Sequence, residues 1–187
     1  MVAGSNPAAW SGGIADSPSL RRPLDYAWRK AALVLASLSG ALVVPAGPAS
    51  AQQVQINKLS DVSFGLISDF TTDALSAQNV CVFSSTAQKG YNIAAQGSGA
   101  ANAFTLANGS TTLAYDVQWN ANSGRTTGTS LTPNVALTGQ RSNATAAGCS
   151  SGPTTTASLI VIIRAAALGA APGGNFAGTL TLVIAPE

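Results

Sequence analysis

Four aspartates, Asp61, Asp69, Asp73 and Asp116, are the acids with which residues 52–187 could do internal chemistry. Two suitably spaced carboxylates can hydrolyse a glycosidic bond, one as acid and the other as base or nucleophile. Asp69 and Asp73 are the closest pair, but they flank Phe70-Thr71-Thr72 in what reads as a turn. Aspartate there commonly accepts backbone hydrogen bonds. Calcium is the sharper alternative for the pair, yet it needs about six to eight oxygens, and the local charge is meagre. The chain contains no histidine, which excludes Ser-His-Asp and Cys-His nucleophilic sites and any histidine-ligated metal. Gly97-Ser98-Gly99 lacks the spacing, lysine and following helix of a phosphate loop. Tyr91, Tyr115 and Trp119 could form an aromatic platform for a sugar; core packing is the alternative, because Tyr115, Val117 and Trp119 share one face of an extended strand. The expectation is a protein that is not an enzyme and uses neither cofactor nor metal.

The elements that would position these residues divide into two unequal parts. Arg21, Arg22, Arg29 and Lys30 precede an apolar run from Ala31 to Val44, followed by Pro45, Gly47, Pro48 and Ala49-Ser50-Ala51. A basic segment, a short apolar stretch and small residues at a cleavage site make a signal peptide. Residues 1–51 are therefore expected to be signal peptide and upstream n-region, with cleavage before Gln52. A membrane anchor is the alternative, but the uninterrupted run has 14 residues where spanning takes about 20. The pair Arg21-Arg22 also allows a twin-arginine signal, although it sits well before the apolar run.

Residues 52–187 are the size of one domain. They carry Lys58, Lys89, Arg125, Arg141 and Arg164 against Asp61, Asp69, Asp73, Asp116 and Glu187, so their net charge is near zero. With no clustered basic stripe to grip phosphates, nucleic acid is not expected as a partner. Cys81 and Cys149, 68 positions apart in a chain expected to leave the cytoplasm, read as a disulfide.

Runs rich in Val, Ile, Leu, Thr and aromatics alternate with stretches of Gly, Asn, Ser and Pro, which is β punctuation. The runs predict strands over 54–66, 79–84, 91–96, 103–107, 111–119, 134–138, 156–164 and 175–184, and eight strands at this spacing suggest a sandwich. Leu159 to Ile163 has no alternation, so both faces should be covered, or one should lie against a partner. Phe176, Leu180, Leu182 and Ile184 alternate with smaller or polar residues, as in a half-buried strand. Asn108-Gly109 signals a hairpin, and Ala165 to Ala171 a short helical turn before Pro172.

The motifs Val62-Ser63-Phe64-Gly65, Val80-Cys81-Val82-Phe83, Leu113-Ala114-Tyr115-Asp116-Val117-Gln118-Trp119 and Gly174-Asn175-Phe176-Ala177-Gly178-Thr179-Leu180-Thr181-Leu182 occur in this order. In them the chain resembles the spore coat protein U domain family, the pilin-like subunits of archaic chaperone-usher pili. The resemblance implies an all-β, immunoglobulin-like sandwich lacking its last strand, whose groove is filled first by a periplasmic chaperone and then by the N-terminal segment of another pilus subunit delivered at an outer-membrane usher. It further implies transit through the periplasm to a surface fimbrium, with no membrane span after signal cleavage.

On this expectation Leu159, Val161, Ile163, Leu180, Leu182 and Ile184 are candidates for the acceptor groove, and Val54 and Ile56 for a donor strand. The segment from Gln52 to about Lys58 is shorter than the family's usual donor segment. Readings as a tip subunit, a minor subunit or an autonomous domain therefore stay open. The alternative function is a tip or surface carbohydrate-binding adhesin module using Tyr115 and Trp119.

Overall fold

Valine, isoleucine and threonine fit a pleated, half-buried surface better than a helix, and the computed structural model, which describes residues 51–187, is built on strands. The signal peptide and n-region expected over 1–51 lie outside the described residues except for Ala51. No helix among the described residues is long and apolar enough to cross a membrane.

The larger sheet contains β1 (Val54–Asn57), β2 (Ala74–Ser84), β9 (Ala157–Ile163), β6 (Asp116–Asn120) and β7 (Thr129–Ser130), in that spatial order and with antiparallel pairing throughout. The second sheet contains β10 (Leu180–Pro186), β3 (Gly90–Gly97) and β8 (Leu137–Arg141), and β4 (Thr105–Asn108) forms a separate hairpin with β5 (Thr111–Ala114). Between the sheets lies one core that includes Val80, Val82, Tyr91, Ile93, Val117, Trp119, Leu159, Val161 and Ile163. The protein is an all-β, immunoglobulin-like sandwich.

The non-alternating run forms the central strand β9, and all seven of its residues are buried. Leu159, Val161 and Ile163 face the core. On the opposite face the Ser158 hydroxyl donates to the Asn122 carbonyl, while Arg125 N–H donates to that hydroxyl, so the 121–128 loop folds over this end of the sheet. In β10, Leu180, Leu182 and Ile184 point inward while Thr181 and Val183 are exposed. A six-residue helix, α1 (Ala165–Ala170), follows β9 where the Ala-rich stretch placed it.

Several boundaries differ from the sequence expectation: β8 spans Leu137–Arg141 instead of 134–138, β10 spans Leu180–Pro186 instead of 175–184, and β7 is unexpected. The first strand ends at Asn57 rather than continuing to Leu66, because Lys58 takes a left-handed backbone with φ 64° that leaves the ladder. β2 starts at Ala74, five residues before the expected 79. The stretch 111–119 divides at Tyr115 into β5 and β6, which belong to different sheets. The hairpin turn is Gly109-Ser110, one residue later than expected, with the positive φ of 61° on Gly109 and not on Asn108.

Cys81 and Cys149 form the expected disulfide, with Cα atoms 5.9 Å apart. Cys81 lies on the outer face of β2 with Ala144, Cys149 and Phe83, so the bond ties the 142–152 loop to the sheet. Nearby, buried Thr156 both accepts from Val82 N–H (2.8 Å) and donates to Val82 C=O (3.0 Å).

Candidate functional site: an apolar groove beside a free strand edge

Alternation in the two apolar strands sends Leu159, Val161 and Ile163 of β9 and Leu180 and Leu182 of β10 toward the same space, a groove of about 1080 Å³. Five of the six expected groove residues thus converge. Ile184, on the same face of β10, packs on the core and does not line the groove. β10 pairs with β3 along one side, and its other side carries no ladder among the described residues. Backbone groups on such an edge are available to a further strand.

The opposite wall is a feature that sequence reasoning missed. Residues 59–67, expected to continue the first strand, form an irregular segment that lines the groove together with Phe70. Val62, Phe64 and Ile67 are half-buried against the core, whereas Leu59, Leu66 and Phe70 are exposed, Leu66 by 96%.

The segment's main polar hold is Gln78, on the inward face of β2. The Gln78 Oε1 accepts from Ser60 N–H (2.9 Å) and from the Ser60 hydroxyl (3.0 Å), while its Nε2 donates to Ser60 C=O (3.1 Å). One side-chain amide therefore replaces the neighbouring strand that Ser60 lacks. The sequence signal was the Val62, Phe64 alternation, but nothing in it distinguishes a ladder strand from an unladdered wall.

Val54 and Ile56, the donor-strand candidates, are used within this chain's own sheet: they sit opposite Ser84 and Val82 in β1 and pack on the core. Trp119 and Tyr115 are buried, at 1% and 6% exposure. Trp119 Nε1 donates to the Tyr91 hydroxyl at 3.1 Å in an edge-on contact, and Tyr115 stacks on Phe104 at 5.7 Å. Burial pushes the Tyr91 hydroxyl pKa up to about 12, against the opposing hydrogen bond from Trp119, and also raises that of Tyr115. These rings are core, and they present no exposed sugar platform. Tyr115 reaches the groove as part of its lining.

The aspartates serve turns and ion pairs. Asp69 accepts from the Thr71 N–H and hydroxyl and from the Thr72 hydroxyl, which hold its carboxyl down at about 2, with the Thr71 hydroxyl the largest cause. Asp73 accepts from Ala165 N–H at the start of α1 and from Arg164, and both bonds lower its pKa. Arg164 also pairs with Asp116 at 2.6 Å, and Asp61 lines the groove. Among the described residues, no group of three or more acids or cysteines is placed to hold a metal.

No protein-family model matches the chain, and no curated protein matches it. Among the solved structures that align with it in part, two are chaperone-tip complexes. One is described as a chaperone-tip adhesin complex in CFA/I fimbriae biogenesis, with TM-score 0.46 and 14% identity over 73% of this chain and 41% of the other. The second is the CsuC-CsuE chaperone-tip adhesion subunit pre-assembly complex from archaic chaperone-usher Csu pili of Acinetobacter baumannii, with TM-score 0.38 and 20% identity over 72% of this chain and 39% of the other. The chain spans about two fifths of the length of each aligned structure.

Proposed function

We propose that the domain is an exported structural subunit of a chaperone-usher type pilus or surface coat, of the spore coat protein U kind, completed by a strand from another protein. The observation that carries this reading is the apolar groove running beside the unladdered edge of β10. An incoming extended segment would gain main-chain hydrogen bonds from that edge and would bury alternate side chains against Leu159, Val161, Ile163, Leu180 and Leu182. Three or four large side chains would contribute about 1.5–3 kcal/mol each before ordering costs.

The partners this reading names are a periplasmic chaperone, an outer-membrane usher and other pilus subunits. The domain acts by assembly and catalyses nothing. The alternative, a carbohydrate-binding module at a tip, has less support, because Trp119 lies in the core and Tyr115, itself buried, reaches the groove only as part of its lining.

The test is to mix the purified protein with a peptide of residues Gln52 to Phe64, which carries Val54, Ile56, Val62 and Phe64 on one face of an extended strand. Slow one-to-one uptake with a rise in melting temperature is expected. A protein that stays unchanged in mass and in melting temperature would count against strand addition.

A further inference from the structure

We propose that the segment from Leu59 to Phe70 is a resident plug, covering the groove in the isolated protein and expelled when an incoming strand pairs with β10. This rests on the strand-addition reading above and adds a gate to the same site.

The segment already bounds the groove. Val62, Phe64 and Ile67 turn toward the core, and Leu59 to Ile67 line the groove opposite β9 and β10. It is held differently from everything around it. Both neighbouring sheets are fixed by ladders, whereas residues 59–67 keep, among the described residues, only the Gln78 clamp on Ser60 and one local bond from Gly65 N–H to the Ser63 hydroxyl. An occupant held by side chains alone loses to one that brings both side chains and a ladder. The outward residues agree with a segment that moves, since Leu59, Leu66 and Phe70 are large apolar side chains left exposed.

The segment's ends are built to let it move as a unit. At one end Lys58 breaks the strand with φ 64°. At the other, Asp69 fixes a turn through Thr71 and Thr72. β1 and β2 can therefore stay paired while the residues between them swing. Until that happens the plug lines the groove that an incoming strand must fill while pairing with β10.

The experiment uses the purified protein and a labelled peptide of residues Gln52 to Phe64, with uptake followed by anisotropy and with chymotrypsin cleavage of the protein read by mass. Removing the plug's anchor with Phe64→Ser should speed peptide uptake by about tenfold. Gln78→Ala, which releases the clamp without touching the core, should speed it by a few-fold. In the wild-type protein, cleavage after Phe64, Leu66 and Phe70 should become about tenfold faster once peptide is bound, because the expelled segment is then free.

If Phe64→Ser does not fold, Gln78→Ala and the cleavage assay decide. Uptake at one rate in all forms, with cleavage no faster after binding, overturns the plug and leaves strand addition standing. No uptake by any form overturns strand addition and the plug with it.

Discussion

β2 runs through two environments that differ along a single strand. From Val80 to Ser84 it is buried on nearly every side chain: Cys81 is bonded to Cys149, Thr156 satisfies the Val82 backbone, and β1 lies alongside. From Ala74 to Asn79 its outward residues are exposed, its inward ones are half-buried, and two of the inward ones are the polar Ser76 and Gln78. The first half is closed by covalent and hydrogen-bonded structure belonging to the same domain. The second faces a groove walled by a loop without a ladder. Burial is thus complete where the chain supplies its own cover and incomplete beside the free edge of β10, which is where an outside strand would contribute.

Experiments that break the closed half should have the largest effects. Replacing both cysteines with serine, or reducing the bond, removes a link closing a loop of 68 residues. It should cost about 4 kcal/mol in the chain-entropy account, a fall in melting temperature on the order of 10–20 °C in a thermal scan. Thr156→Val keeps the shape but strands the buried Val82 N–H, and denaturant titration should show a loss of about 1–3 kcal/mol.

The open half should respond far less. Phe64→Ser, at a half-buried side chain, should lower stability by about 1 kcal/mol in the same titration. Leu66→Ser should stay within about 0.5 kcal/mol, since that side chain is almost wholly exposed. A loss at Phe64 as large as the loss at Thr156 would erase the contrast between the halves.

The smallest effect concerns acid. The Asp69 carboxyl is depressed in the folded protein to about 2 from an ordinary 3.8. Its contribution is therefore present above pH 3.8 and lost as pH falls through about 2. The side chain is fully exposed, so the change should be local to the turn. An NMR titration of the Thr71 amide should show a midpoint near pH 2, and a midpoint near 4 would remove the hydrogen bonds to Asp69 from the account.

The parts of this architecture legible in the sequence are those where one side-chain property decides the outcome. The unbroken apolar run Leu159 to Ile163, mostly β-branched, gave a strand covered on both faces, and alternation in Leu180 to Ile184 gave one covered on a single face. Two cysteines in a chain with a signal-like N-terminus gave the disulfide.

What stayed illegible depends on neighbours. Ala74 to Asn79 carries no apolar alternation, and it is a strand because β9 pairs with it. Val62 and Phe64 alternate like a strand but have no ladder, because the backbone turns out of register at Lys58. For the groove, the strands' inward faces were readable, while its second wall depended on where a loop came to rest.

The claim that the groove accepts a strand along β10 is tested most directly by amide exchange on that strand. With the peptide of residues Gln52 to Phe64 added, those β10 amides between Leu180 and Ala185 that point away from β3 should become strongly protected, while amides already bonded to β3 change little. Unchanged exchange along that edge, with peptide bound, would contradict the account.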